Sequence, residues 1–334
     1  IEEYLNENFS SSSYANSLIP FLETMSERAV ETDISSKAQL YAPLWGLHEQ
    51  FTNLFIRMME ALEQVHYTAE LYASEAALVP KATSIIDVQI LKNITSEDDE
   101  FIDVQCPNGE GSKLTRSMLS AITAELVLNI SDVPHKFMRH TDVLDFPGAR
   151  NREPVNLTDH FATFKENGNK IHEYLIRGKV AYLFQKYVNS QDINAMLLCI
   201  KHSNMEAVGL TTVVERWIQN SIGQNAGART GQNNSFFFVM TFFDQHLVDN
   251  AANENETDRF TRRIHSSLLE KFGKLPDSWP LSWSMSSKQS VPFDNCYWLR
   301  NPGVAQSYFT REKGIEELTS TPVENQRIAQ IQDM

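Results

Sequence analysis

The chain sets four short apolar runs, "DVLD", "AMLLCI", "FFFVMT" and "CYWL", among helical stretches around 167–187, 206–220 and 257–272. Runs this short, bounded by polar loops, read as buried strands. Strands alternating with helices are joined by crossovers, and crossovers make the strands parallel. The expected fold is α/β, a mostly parallel three-layer sheet with helices on both faces. Ligands of such sheets bind at the carboxyl ends of the strands, so the residues leaving each run are the candidates for function.

Asp145 ends the first run and turns at once through Pro147 and Gly148, in "TDVLDFPGAR". An Asp-x-Pro-Gly turn at a strand end holds a magnesium ion through the carboxylate and a γ-phosphate through the glycine N–H in many nucleotide hydrolases. The same string also serves as a plain strand-ending turn. The third run leaves through "TFFDQH", which spaces Thr241 and Asp244 as a T-x-x-D pair. GTP-binding proteins read guanine with an [NT]-K-x-D turn at this place. Here Phe242 stands where the lysine would, and a phenyl ring replaces the lysine stem by stacking on a base. The last run ends at Arg300 and Asn301, either the rim of a base pocket or a Pro-Gly exit turn.

No G-x-x-x-x-G-K-[ST] string exists in the chain. The nearest candidate is "CPNGEGSKLTRS", where Lys113 follows Ser112 and the spacing fails, so a hairpin or a connecting loop is the competing reading. Arg177 and Lys179, in "YLIRGKVAYLFQKY", form a basic set on an apolar helix that would suit an arginine finger or a solvated helix start. Asn204 and Glu206 read as helix caps bordering the ligand loop. H-E-x-x-H, C-x-x-C and G-x-S-x-G are all missing, which sets aside zinc, haem and serine-hydrolase chemistry.

Residues 14–30 and 36–79 carry apolar positions three and four apart and read as long helices. "TSIIDVQIL" and "EFIDVQC" read as two strands, "RSMLSAITAELVLNI" as a helix, and 311–334 as a polar helical tail. The expected organisation is a helical region over 1–80, an α/β core over 81–310 and the tail over 311–334. At 334 residues and 42% hydrophobic the chain can bury a substantial core, and a net charge of −14 disfavours nucleic acid and anionic lipid as partners. Three widely spaced cysteines suit reduced thiols and a cytoplasmic compartment. No apolar stretch is long enough for a transmembrane helix.

Taken in order, "PLWGLHEQFTNLF", "RSMLSAITAEL", "DVLDFPGARNR", "YLIRGKVAYLFQKYV", "MLLCIKHSNMEAVGL", "FFFVMTFFDQHL" and "YWLRNPG" resemble the bacterial virulence factor family called SrfC. The resemblance implies a longer protein of dynamin-like GTPase character with a P-loop upstream of Ile1, of which this chain is the central part. It implies GTP and magnesium as cofactors, with Asp145 as the metal and catalytic ligand and Gly148 as γ-phosphate sensor. The resemblance maps Thr241 with Asp244 as the base-reading turn; beside it, from their own positions in the sequence, Arg300 and Asn301 would complete the nucleotide pocket and Arg177 or Lys179 would assist catalysis. Self-association or binding to other virulence-factor proteins is implied too. The rival expectation is a nucleotide-independent interaction scaffold on a degenerate GTPase fold.

Overall fold

The computed structural model describes residues 5–6, 9–29, 32–79, 84–128, 132–133, 135–145, 157, 171–200, 210–232, 235–242, 265–274, 278–283, 293, 295–299, 309–312 and 315–318. The chain divides into two compact units. The first comprises Ile1–Pro147 with Val155–Lys179, and the second Gly148–Pro154 with Val180–Met334.

In the first unit, helices α1 (Ser13–Ala29), α2 (Ile34–Tyr41) and α3 (Glu49–Gln64) bury Leu18, Leu22, Met25, Ala38, Leu54 and Ala61. The 36–79 stretch expected as one helix is interrupted. Pro43 opens a 3-10 turn over Ala42–Trp45, and Gly46 follows it in the left-handed region at φ 66°. Its N–H donates to Pro43 O at 3.2 Å, an end that a side chain would strain. After α3 the chain leaves the helical state well before residue 79, entering β1 (Tyr72–Ala73).

Strands β2 (Phe101–Gln105) and β3 (Gly111–Thr115) pair antiparallel, and β1 adds antiparallel to β2. Ile102 and Val104 face the core on one side of β2 while its odd-numbered residues face out, the period of a half-buried strand. "TSIIDVQIL", expected as a strand, contributes instead a 3-10 helix over Val88–Asn93. Asp87 caps it by accepting from Gln89 N at 2.9 Å, and Ile90, Leu91 and Ile94 are buried at helical spacing. Helix α4 (Arg116–Ile122) follows β3 directly.

Helix α5 (Ile171–Asn189) carries the chain into the second unit. There β4 (Met196–Ile200), β5 (Phe236–Met240) and β6 (Cys296–Trp298) form a parallel sheet in that order. Their register pairs Leu198 with Phe238 and Phe238 with Cys296. Three of the four apolar runs are therefore strands, as their composition and the intervening helix α6 (Leu210–Ser221) require. Phe236, Phe238 and Met240 pack with Trp217 and Ile218 of α6 and with Phe272, Trp279, Trp283 and Phe293. Trp217 donates its indole N–H to Ile193 O at 3.2 Å, so its polar edge is satisfied inside the core. Among the described residues this helical layer covers one face; Leu197, Tyr297 and Leu299 on the other are exposed.

The fourth run differs. Residues 141–145 are exposed and irregular, with Val143 at 72% and Leu144 at 46% exposure. An extended apolar run becomes a strand only where a neighbour accepts its N–H and C=O groups, and no described strand lies alongside this one. Within 311–334, expected as helix, β7 (Phe309–Glu312) and β8 (Ile315–Leu318) form a two-stranded antiparallel pair, with Glu312 opposite Ile315. Lys313-Gly314 lies between them in sequence, the short glycine-containing spacing that hairpins favour.

Candidate functional site at the carboxyl ends of the parallel strands

The three parallel strands end at Ile200, Met240 and Trp298, and the ladder carries one residue further at the end of the sheet. Thr241 N–H donates to Ile200 O at 3.0 Å and Leu299 N–H to Met240 O at 2.8 Å. Thr241 is half-buried at the tip of the central strand, its N–H held by one neighbouring strand and the carbonyl of Met240 before it by the other. Phe242 follows at φ 58°, in the left-handed region, with 46% of its surface exposed. That conformation costs a residue with a Cβ about 1–2 kcal/mol and is an outlier for a bulky side chain. An aromatic ring thus stands at the sheet's carboxyl edge, two residues past the last residue of the central strand. Asp244, Arg300 and Asn301, expected beside it, lie outside the described residues, as do Asn204 and Glu206.

Asp145 is exposed and ends no strand, so the described backbone does not present it at a sheet edge. Pro147 and Gly148 lie outside the described residues. Among the described residues no three His, Cys, Asp or Glu side chains converge on one point. Magnesium prefers a near-octahedral oxygen set and keeps several waters.

"CPNGEGSKLTRS" is the β2–β3 hairpin and the start of α4, in line with the competing reading. Gly109 sits at φ 90° in its turn, and Cys106 N–H donates to Glu110 O at 2.8 Å. Lys113 lies directly across from Asp103, 3.5 Å away and well exposed, a pair worth little to stability. The orphan N–H groups at the start of α4, which in a P-loop would hold phosphate, already have partners. Thr115 accepts from Met118 N at 3.3 Å, and the buried Asp99 carboxylate accepts from Ser117 N at 2.9 Å and Ser117 Oγ at 2.5 Å. Beside it the buried Arg116 donates to Glu100 Oε2 at 2.8 Å and to Val79 O at 3.1 Å. Sequence reading missed this network. "T-R-S" before an apolar run signalled the cap, but the acidic partners sit 16 and 18 residues away and only the fold brings them there.

Arg177 and Lys179 both lie inside α5, not at its start. Arg177 stands 3.9 Å from Glu173, one turn back on the helix. Lys179 Nζ donates to Ser120 O at 2.5 Å and Ala121 O at 3.1 Å, two carbonyls of the last turn of α4. A cation there meets the negative end of the helix and satisfies acceptors that have no partner within it. Burial pushes the Lys179 amine down to about 8. Its geometry is that of a helix cap, with the ammonium aimed at backbone.

This sets a pH dependence. The unfolded chain holds the Lys179 proton to its ordinary 10.5, while the folded chain releases it from about 8. Between those values the unfolded state binds more protons, so the lysine's contribution to stability rises with pH, by at most about 1.4 kcal/mol per pH unit. In Lys179→Met that rise is lost. Chemical denaturation of both proteins at neutral pH and near roughly pH 10 measures the difference, and parallel pH curves would refute the assignment.

The second unit accordingly is mixed helix and sheet, with a small parallel sheet and the pair Thr241-Phe242 at its carboxyl edge. The chain belongs to the family described as "Putative bacterial virulence factor", which matches it over residues 1–334. No curated protein and no solved structure matches it significantly. Among the described residues no helix is long and apolar enough to cross a membrane.

Proposed function

We propose that this virulence-factor chain is a binding module whose ligand site lies at the carboxyl ends of β4, β5 and β6 and takes the base of a nucleotide, guanine in first place. The observation that carries this reading is Phe242, an exposed aromatic ring on left-handed backbone at the tip of the central strand. Aromatic rings at such edges stack on planar bases, and strained backbone concentrates where ligands are held. Thr241 would position the turn and Asp244 would accept from the base edge. In this reading the GTPase-like, dynamin-like character, with magnesium at Asp145 and a γ-phosphate at Gly148, requires a phosphate cradle beyond the hairpin and α4. The chain alone binds without turnover.

A nucleotide-independent scaffold is the second reading, favoured by Lys179 and Asp99. The Lys179 ammonium is engaged with backbone carbonyls, and the Ser117 N–H at the start of α4 with the Asp99 carboxylate, so neither is open to a phosphate.

Titration of fluorescent GTP and ATP against the wild-type chain and Phe242→Ala separates the two. The base-binding reading expects weak saturable binding that falls about tenfold or more in Phe242→Ala, since one stacked ring contributes about 1–3 kcal/mol. No binding by the folded wild-type chain establishes the scaffold instead.

A further inference from the structure

We propose that helix α5 is hinged at Gly178, with Lys179 fixing the half of the helix that belongs to the first unit. The chain passes from one compact unit to the other between Lys179 and Val180, inside this helix. Each half is anchored separately. Ile171 and Ile176 are buried in the first half, and Tyr174 meets the ring of Phe51 edge-on at 5.9 Å. Lys179 holds Ser120 O and Ala121 O of α4. In the second half Val188 is buried in the aromatic core of the parallel sheet, with Phe184 packed against it. Between Ile176 and Gln185 no residue is fully buried.

Gly178 sits at the start of that stretch and is exposed. A Cβ built on it would meet nothing within 4 Å, so no close approach of another element calls for glycine here. Glycine is among the weakest helix formers at an interior position, and its backbone has the widest conformational range. A poor helix former with no packing reason, at the point where one helix leaves one core for another, is what a hinge requires. This inference is independent of whether the chain binds nucleotide.

Spin-label distance measurements test it. Labels are placed at Glu60→Cys on α3 and Gln219→Cys on α6, in the full chain with Cys199→Ser and Cys296→Ser. A second pair inside the first unit, Glu60→Cys with Phe101→Cys, gives the width expected of a rigid body. The hinge predicts a wild-type distribution between units broader than this control, narrowing at least about twofold in Gly178→Ala and broadening in Lys179→Met. A wild-type distribution as narrow as the control, or one whose width Gly178→Ala leaves unchanged, overturns it.

Discussion

Trp217→Ala is expected to destabilise the second unit by about 3–5 kcal/mol, the range for truncating a fully buried large aromatic. Trp217 is wholly inaccessible to solvent and its ring centroid lies 6.0 Å from that of Phe236 on the central strand. Truncation opens a cavity between α6 and the sheet and also leaves Ile193 O without the indole N–H, now 3.2 Å away. The neighbouring rings of Trp279, Trp283 and Phe293 hold one another and collapse little into the gap. Urea unfolding followed by far-ultraviolet circular dichroism measures the loss. A shift of less than about 1 kcal/mol would mean that this aromatic cluster is not the core that holds the parallel sheet.

Asp99→Ala is the counterpart in the first unit, with an expected cost of about 2–3 kcal/mol. The carboxylate satisfies two donors of Ser117 at the start of α4, and all three groups are buried. Removing it orphans the Ser117 N–H and hydroxyl together and removes a negative charge from the positive end of the helix. Glu100→Gln, by contrast, should change stability by less, because the Glu100 side chain is largely exposed even though it reaches Arg116. Hydrogen exchange at Met118 and Leu119 reads the effect locally. If those amides keep their protection in Asp99→Ala, the cap does not sustain α4.

Both variants bear on the functional reading. If Asp99 is structural, the start of α4 is closed to phosphate by the protein's own carboxylate, and a nucleotide site must be built at the strand ends around Thr241 and Phe242. Lys179 gives the same lesson. A buried lysine with a depressed pKa is often a catalytic candidate, yet here its partners are two helix-terminal carbonyls and burial alone accounts for the shift.

Local patterns in the sequence determined α1, α3, α6 and the three strands of the parallel sheet, because apolar spacing encodes which face each element buries. They also placed Thr241 and Phe242 directly after the central strand. Tertiary structure alone decided the rest. "DVLD" has the composition of a strand but no described neighbour to pair with, and strand formation depends on a partner that composition cannot supply. "TSIIDVQIL" carries β-branched residues, yet the cap from Asp87 and the joint burial of Ile90, Leu91 and Ile94 made it helical. Lys113 and Lys179 read alike as phosphate ligands; one faces Asp103 across a hairpin and the other closes the end of a helix. The role of a charged side chain is fixed by partners distant in sequence, and only the folded chain brings those within reach.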